Sequence, residues 1–349
     1  MKRIVSKSAG SASDVAARRP GVPVEHGGPD ALGVPAHDFS TNANACGPYP
    51  QALAALAAAD RRHYPDPAYT ALRVRVAAFH GVAAARVVFV ASASEGIHRL
   101  SALAARAGLR HAALPAHGYG DYARAAEVWG LKSTAADASP ALHWACEPTS
   151  PLGTADAALA RWAAAPAPAG SLRVVDMAYA PLRLNGDATL APGDAWQLWT
   201  PNKALGLTGV RAAYALAPSA PAAAALDTLG PSWPLGADGV ALLTAWTGDE
   251  AQAWLRASLQ TLIAWKAAQL QLCADLGWAV HPGSLASFFV ARPPLRDLPG
   301  ALQALRAQGI KLRDTASFGL PGQVRLGVLP PASQNALRDA WLRLGARYH

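Results

Sequence analysis

The stretch LWTPNKALGLTGVRAAYALA, residues 198–217, joins two apolar runs through a loop that contains one lysine and two glycines. Lys203 comes shortly after the first run, and Gly206 and Gly209 separate it from the second. A lysine in an apolar loop can lose part of its hydration, which lowers its pKa and frees the amine as a nucleophile. The stretch therefore predicts a chemical role for Lys203, and a solvated surface lysine is the alternative.

Lysine is rare in this chain, which narrows the search for a reactive amine. The sequence has 349 residues and 31 Lys and Arg residues, of which six are lysines: Lys2, Lys7, Lys132, Lys203, Lys266 and Lys311. The five others lie in a basic tail or in amphipathic segments. Any lysine-dependent chemistry therefore points first to Lys203.

The composition excludes several classes of protein. The net charge is +8, but the charges are spread along the chain, so we expect small anionic ligands and no nucleic acid. Cys46, Cys146 and Cys273 are far apart and no CxxC or HExxH pattern occurs, so we expect neither a metal site nor a disulfide framework. No apolar run approaches the roughly 18 residues that span a membrane, and the start lacks the apolar region of a secretory signal. We expect a cytoplasmic protein without membrane contact.

Short apolar runs alternate with helical patterns from about residue 50 onward. This alternation predicts an α/β fold with a mostly parallel sheet that helices cover on both faces. A long helical stretch at about 249–276 is followed by a strand, a helix, two strands and a helix, which predicts a small α+β domain. The predicted organisation is a disordered tail (1–24), an arm that packs with the small domain (25–50), a large domain (51–248) and a small domain (249–349).

Two further features point to an anionic ligand near a strand end. Asp176 closes the apolar run of VVDMAY, and ligands of open α/β sheets bind outside the carboxyl ends of strands. A buried carboxylate there needs a cationic partner, although Asp176 can also be a turn or cap residue. The small residues of ASASEG (91–96) lie at a helix start, where free N–H groups can hold a phosphate or simply be capped. Thr200 and Arg211 can add a hydroxyl and a guanidinium to the same anion.

The spacing of these residues resembles that of fold-type I pyridoxal-phosphate enzymes, in the class I/II aminotransferase branch. The match is TxxK followed eight residues later by arginine, here Thr200, Lys203 and Arg211, preceded by the DxAY of Asp176 and Tyr179. The resemblance runs from about residue 25 to the C-terminus. It implies a mostly parallel seven-stranded sheet sandwiched by helices, with a smaller α+β C-terminal domain.

The resemblance also implies the cofactor, pyridoxal 5′-phosphate, and a role for each matching residue. Lys203 would bind the cofactor covalently, Asp176 would pair with its ring nitrogen, and Tyr179 would donate to its 3′ oxygen. The cofactor phosphate would be held by a further group: Thr200, Arg211 and the backbone near Ala93 and Ser94.

Three more positions follow from the resemblance. Tyr119 in HGYGDY (117–122) would stack on the cofactor ring, and Arg325 in GLPGQVRLGV would clamp a substrate α-carboxylate. Tyr64 in HYPDPAYTALR (63–73) would reach the cofactor phosphate of a neighbouring subunit, which implies a homodimer with composite sites. The alternatives are ordinary: core aromatics for the tyrosines and a surface charge for the arginine.

Two positions depart from the family pattern. Ser150 in CEPTSPLG stands where the family has the second asparagine of an NNPTG-like stretch, whose side chain touches the cofactor's 3′ oxygen. Ser92 stands where the phosphate turn usually has glycine. A weaker or divergent cofactor site is therefore conceivable, and so is a catalytically silent protein.

The N-terminal segment distinguishes members of the family. EHGGPDALG (25–33) and DFSTNANACGPYP (38–50) are similar to the opening of threonine-phosphate decarboxylases of cobalamin biosynthesis, with Ala45 in place of the usual proline. His26, Gly27 and Asn44 are the candidate substrate-binding residues there. The leading hypothesis is decarboxylation of L-threonine O-3-phosphate to (R)-1-aminopropan-2-yl phosphate. The alternative is an aminotransferase acting on histidinol phosphate or a related amino acid; a simple glycine turn is the ordinary interpretation of the segment.

Overall fold

The computed structural model describes residues 26–134, 139–187, 191–344 and 348. The tail predicted at 1–24 lies outside these residues. The bounds of the strands are β1 (His37–Asp38), β2 (Val87–Val90), β3 (His111–Ala113), β4 (Lys132–Thr134), β5 (Leu142–Cys146), β6 (Leu172–Asp176), β7 (Trp196–Trp199), β8 (Ala213–Leu216), β9 (Ala279–Val280), β10 (Phe288–Arg292), β11 (Ile310–Lys311), β12 (Arg313–Asp314) and β13 (Val324–Gly327).

The helices account for most of the remaining regular structure. Their bounds are α1 (Pro50–Ala57), α2 (Thr70–His80), α3 (Ala93–Arg106), α4 (Gly120–Val128), α5 (Ala157–Ala164), α6 (Ala220–Asp227), α7 (Ala237–Trp246), α8 (Asp249–Asp275), α9 (Leu298–Ala307) and α10 (Pro331–Leu342). None of these described helices has both the length and the apolar composition needed to cross a membrane.

The central sheet has seven strands in the order β2-β8-β7-β6-β5-β3-β4. All neighbouring pairs are parallel except those of β8, which is antiparallel to both β2 and β7. Every residue of β2 and β5 is buried, as expected for strands that helices cover on both faces. The prediction of a mostly parallel seven-stranded sheet is confirmed.

Two apolar clusters cover the two faces of this sheet. Val88 and Val90 contribute to the cluster under α3, α4 and α6, whereas Val87 and Phe89 contribute to the one under α1, α2, α7 and α8. This alternation follows from the two-residue period of a strand. Burial of these side chains supplies the main driving force for assembly of the three layers.

The small sheet has the order β12-β13-β10-β9 and is antiparallel throughout. The segment IKLRD, predicted as one strand, divides at Leu312: β11 pairs with β1 in a separate two-stranded sheet, and β12 pairs with β13. The long helix α8 contributes Leu255 and Leu262 to the core of the large sheet and Cys273 to that of the small one. The arm and the helix thus both connect the two sheets.

Candidate active site

Asp176 lies at the carboxyl end of β6, in the middle of the large sheet, and is buried. Its Oδ2 accepts a hydrogen bond from Tyr122 Oη at 2.7 Å, and its Oδ1 accepts one from the Ala178 N–H at 2.9 Å. Burial raises the pKa of the Asp176 carboxyl, whereas these two donors and the positive charge of Lys203 act in the opposite direction. The carboxylate has no ion pair within the described residues and can therefore accept a cationic ligand atom.

Tyr122 is a functional residue that the sequence did not single out. It lies on α4, three residues after Tyr119, and its ring stacks on Trp144 with the ring centroids 4.7 Å apart. The stack and the bond to Asp176 hold both side chains in fixed orientations. The segment HGYGDY contains both tyrosines, and only the folded chain reveals which of them contacts the carboxylate.

Lys203 lies in the loop between β7 and β8, as its position after the apolar run predicts. Its Nζ is 5.5 Å from the centroid of the Tyr179 ring, and it donates no hydrogen bond to, and forms no ion pair with, any described residue. Asn202 shapes the loop, because its side chain donates to the carbonyls of Thr208 and Val210 at 3.4 and 3.3 Å. The loop therefore presents the amine beside Tyr179 on the same side of the sheet as Asp176.

The N-terminus of α3 faces the same region. Ser92 caps the helix, with its Oγ accepting from the Glu95 N–H at 3.1 Å, and Glu95 in turn accepts from the Ala91 N–H. This reciprocal arrangement is close to a capping box and leaves the first-turn N–H groups of Ala93 and Ser94 available to an anion. Ser94 Oγ lies 3.3 Å from Tyr119 Oη, so helix start and aromatic ring are adjacent.

Arg325 lies on β13 of the small sheet, and its guanidinium is buried. One nitrogen donates to the Ser40 carbonyl at 2.9 Å and another to Ser150 Oγ at 3.4 Å, while Nε has no hydrogen-bond partner. The group forms no ion pair with any described residue. Burial lowers its pKa, and the nearby charge of Arg313 lowers it further. A buried guanidinium of this kind favours an anionic ligand.

A second buried arginine lies next to it. Arg313 on β12 is directly opposite Arg325 in the antiparallel register. Both guanidinium groups lie over the Phe318 ring, with Cζ 5.2 and 5.7 Å from its centroid. Arg313 carries no sequence signal of its own, because its segment IKLRD has the pattern of an ordinary strand. The pair concentrates two positive charges on one side of the site.

Tyr179 connects Lys203 with Phe288, and through Phe288 with Arg325. Its ring packs edge-on against Phe288, with centroids 4.7 Å apart, and Arg325 Cζ lies 5.8 Å from the centroid of the same phenylalanine. Contacts and electrostatic interactions thus connect seven of the predicted residues in one region: Ser94, Tyr119, Ser150, Asp176, Tyr179, Lys203 and Arg325.

Thr200, Arg211 and Tyr64 have other surroundings in the single chain. Thr200 is buried and donates to Asn202 Oδ1 at 2.9 Å. Arg211 is exposed and lines an open groove of about 750 Å³ together with Tyr64. Tyr64 is 79% exposed and stacks on Trp233. The predicted phosphate contacts of these three residues are not tested by the single chain and stay predictions.

The N-terminal arm lies close to Tyr119 and Arg325. The exposed His26 ring is 6.3 Å from that of Tyr119, and Gly27 is so close to Ser40 that an added Cβ would lie 2.2 Å from the Ser40 carbonyl oxygen. Asn44 is used within the fold: its amide donates to the Ala204 carbonyl and Ser258 Oγ, and its oxygen accepts from the Cys46 N–H. Asn44 therefore anchors the arm to the Lys203 loop, and its substrate contact stays a prediction.

Comparison with known proteins identifies the family to which this chain belongs. Residues 36–342 match the model of aminotransferase class I and II. The chain belongs to this family. Histidinol-phosphate aminotransferase 1 of Bradyrhizobium diazoefficiens is 31% identical over 301 residues, which cover 79% of this chain and 83% of the relative. Histidinol-phosphate aminotransferase 2 of Caulobacter vibrioides is 31% identical over 324 residues, covering 86% and 84%.

Solved structures share the fold of this family member. Histidinol-phosphate aminotransferase from Sinorhizobium meliloti, in complex with pyridoxal-5′-phosphate, has a TM-score of 0.74 at 22% identity and covers 86% of this chain and 88% of its own. L-threonine-O-3-phosphate decarboxylase from Porphyromonas gingivalis has a TM-score of 0.72 at 18% identity, with 86% and 97% covered.

The cofactor of the family is pyridoxal 5′-phosphate, and the residues present fit it. Asp176 is a buried carboxylate without an ion pair in the described chain, which suits a protonated ring nitrogen. Lys203 offers an unengaged amine for the cofactor aldehyde, and the α3 N-terminus offers N–H groups for the phosphate. Ser92 caps that helix, so its substitution for glycine leaves the phosphate turn intact.

Proposed function

We propose that this family member decarboxylates L-threonine O-3-phosphate to (R)-1-aminopropan-2-yl phosphate, a step of cobalamin biosynthesis. The observation that carries the proposal is the pair of buried guanidinium groups, Arg313 and Arg325, in register on adjacent strands. A substrate that carries one carboxylate and one phosphate matches the positive charge that these two arginines concentrate here. The HGG turn, which resembles that of threonine-phosphate decarboxylases, lies against Ser40, whose carbonyl accepts from Arg325.

Each side of the site has a separate task in this reaction. Pyridoxal 5′-phosphate supplies an electron-withdrawing ring that stabilises negative charge at the substrate Cα. Asp176, oriented by Tyr122, keeps the ring nitrogen protonated, and Arg325 holds the substrate carboxylate. The Cα–carboxylate bond breaks, carbon dioxide leaves, and the electron pair remains at Cα. The Lys203 amine, beside Tyr179, returns a proton to that carbon.

A second candidate is amino transfer with histidinol phosphate or a related amino acid. The curated relatives named above are histidinol-phosphate aminotransferases, and these names support amino transfer better than decarboxylation. The same residues serve both reactions, because guanidinium groups bind phosphates and carboxylates alike. The two candidates differ in products and in the need for a keto acid.

Incubation of the holoenzyme with threonine phosphate distinguishes the two reactions. We expect carbon dioxide and aminopropanol phosphate in equal amounts, without any added keto acid. Histidinol phosphate with 2-oxoglutarate is the parallel assay. Glutamate formed in that assay, together with no carbon dioxide from threonine phosphate, would refute the decarboxylase proposal and establish the second candidate.

Lys203→Ala tests the cofactor assignment. Borohydride reduction of the wild-type holoenzyme should add one cofactor to the peptide that contains Lys203, and the variant should show no such label. Because a covalent nucleophile is lost, we expect activity to fall by at least about 10³-fold. Lys132→Ala, on the exposed β4, is the control and should retain both label and activity. A label on any other lysine would overturn the assignment.

We also propose a homodimer in which Tyr64 reaches the cofactor phosphate of the partner subunit. Tyr64 is highly exposed, and the groove it lines contains the cationic side chains of Arg61, Arg62 and Arg211. Mixing Lys203→Ala subunits with Tyr64→Phe subunits should regenerate some fully wild-type sites in hybrid dimers. Activity of the mixture above the sum of the two variants, with a dimer by sedimentation, supports composite sites, whereas a strictly additive result contradicts them.

A further inference from the structure

The arm from His26 to Ser40 is fastened to the small domain by one carboxylate. Asp30 accepts two hydrogen bonds from Arg306, Nε to Oδ2 at 2.9 Å and Nη2 to Oδ1 at 2.8 Å. Lys311 Nζ lies 3.0 Å from Asp30 Oδ2. The two cations hold the pKa of the Asp30 carboxyl far below its usual range. We call Asp30, Arg306 and Lys311 the arm clamp.

The arm clamp also fixes the backbone on either side of Asp30. Lys311 Nζ donates to the Gly28 carbonyl at 2.6 Å, and Arg306 Nη2 donates to the Gly33 carbonyl at 2.9 Å. Asp30 and Gly33 close a tight turn between them, in which Gly33 has φ +82°, a conformation that glycine adopts without strain. The side-chain ion pairs therefore set the path of the arm as well as its attachment.

A continuous set of contacts leads from the clamp to Arg325. The Gly28 N–H donates to Ser40 Oγ at 2.8 Å, and that hydroxyl donates to Asp38. The Ser40 carbonyl accepts from Arg325 Nη2 at 2.9 Å. Gly27 lies against the same carbonyl, where any larger residue would collide with it. The positions of Gly27 and Gly28 thus determine where the Ser40 carbonyl lies, and that carbonyl in turn orients the Arg325 guanidinium.

We infer that Asp30 is a positioning residue: its ion pairs with Arg306 and Lys311 hold the Gly27–Gly28 turn against Ser40 and so orient Arg325 for the substrate carboxylate. The inference rests on the role proposed above for Arg325. It makes the clamp a device of substrate binding, since Asp30 belongs to the arm and its cations to α9 and β11. Asp176 and Lys203 lie on the other sheet and its loop, and none of the hydrogen bonds of the clamp reaches them.

The test compares Asp30→Asn with the wild-type holoenzyme and with Asp339→Asn. Asp339 is a matched control, because it forms an exposed ion pair with Arg338 on α10 of the same domain. By hydrogen exchange, we expect the amides of residues 27–33 to exchange at least about tenfold faster in Asp30→Asn only. With threonine phosphate, we expect KM to rise about fivefold to tenfold and kcat to stay within about twofold, with cofactor content unchanged. Lys311→Met should reproduce both effects.

The outcomes separate the inference from the proposed function. Unchanged exchange in the arm of Asp30→Asn would overturn the clamp, and faster exchange with an unchanged KM would overturn its link to Arg325. A wild-type enzyme that does not convert threonine phosphate refutes the decarboxylase proposal; KM is then measured for 2-oxoglutarate, the substrate of the parallel assay that carries a carboxylate for Arg325, and exchange still tests the clamp. A fall in kcat and cofactor content with KM unchanged would indicate a merely structural role and also overturn the inference.

Discussion

Asp176 and Arg325 are both buried charges without an ion pair in the described part of the chain, yet they belong to parts of the molecule that are built differently. Asp176 ends a central parallel strand, and neutral donors from a helix and from its own turn stabilise it. Arg325 lies in a small antiparallel sheet and donates a hydrogen bond to a carbonyl of the N-terminal arm, 285 residues away in the chain. The cofactor side is thus built into one sheet, whereas the substrate side depends on how separate segments meet.

This difference has a functional consequence. The chain holds the cofactor side rigid by strand ends and a stacked aromatic pair, so that side can orient a bound ring. Arg325 instead takes its orientation from a carbonyl of the N-terminal arm. Substitutions on the cofactor side should therefore change cofactor binding and kcat, whereas substitutions on the substrate side should change KM.

Arg325→Met tests the substrate side and has the largest expected effect. Truncating one member of a buried charge pair costs about 2–5 kcal/mol, so we expect KM for the substrate to rise by about 10²-fold or more. Cofactor content should be unchanged, as measured by absorbance and mass. Arg292→Met on the adjacent β10 removes an exposed arginine and should have no effect on KM. A loss of cofactor in Arg325→Met would break the separation between the two sides.

The sequence predicts that Asp176 and Lys203 lie near each other, and the reason is physical. Asp176 and Lys203 each follow an apolar run, and the carboxyl ends of parallel strands in one sheet meet at one edge. The pairing of Tyr122 with Asp176 lies beyond this logic, since the two residues are 54 positions apart. Two tyrosines three residues apart in HGYGDY offer no sequence signal that tells which one contacts the acid.

The substrate side is less predictable because it depends on long-range contacts. Arg325 follows from a family motif, but Arg313 becomes its neighbour only because IKLRD divides between two sheets at Leu312. The clamp of Asp30 by Arg306 likewise joins residues 276 positions apart. Neither periodicity nor local propensity contains information about such contacts.

Tyr122→Phe tests the cofactor side with a smaller effect. The phenyl ring keeps the stack on Trp144, while Asp176 loses one hydrogen bond, a loss of about 1 kcal/mol. We expect kcat to fall about fivefold with KM within twofold. Because the Tyr122 hydroxyl lowers the pKa of Asp176, its removal raises that pKa. The acid limb of the kcat profile should therefore move to higher pH, since the ionised carboxylate is lost sooner as pH falls.

The control for this shift is another buried tyrosine. Tyr69 donates to the Leu235 carbonyl at 2.9 Å and has no contact with Asp176. Tyr69→Phe should lower stability by a similar amount and leave the acid limb where it is. If the acid limb of the kcat profile moved equally in both variants, it would report unfolding. The assigned role of Tyr122 in setting the pKa of Asp176 would then be wrong.

Ser92→Ala has the smallest expected effect and tests whether the departure from glycine matters to the cofactor side alone. Ser92 Oγ satisfies the Glu95 N–H at the start of α3, and loss of such a cap costs about 1 kcal/mol. If the cap helps to hold the helix start that faces the phosphate, cofactor affinity should fall about twofold to fivefold, while the KM of the substrate stays constant.

Ser92→Gly restores the residue usual in the family and, because glycine caps nearly as well as serine, should change the free energy of unfolding by only a few tenths of a kcal/mol. Denaturant unfolding and cofactor titration measure the two quantities. An equal loss of cofactor affinity in Ser92→Gly and Ser92→Ala, although glycine keeps most of the capping and alanine does not, would show that the hydroxyl acts on the cofactor directly, and the capping explanation of this departure would be wrong.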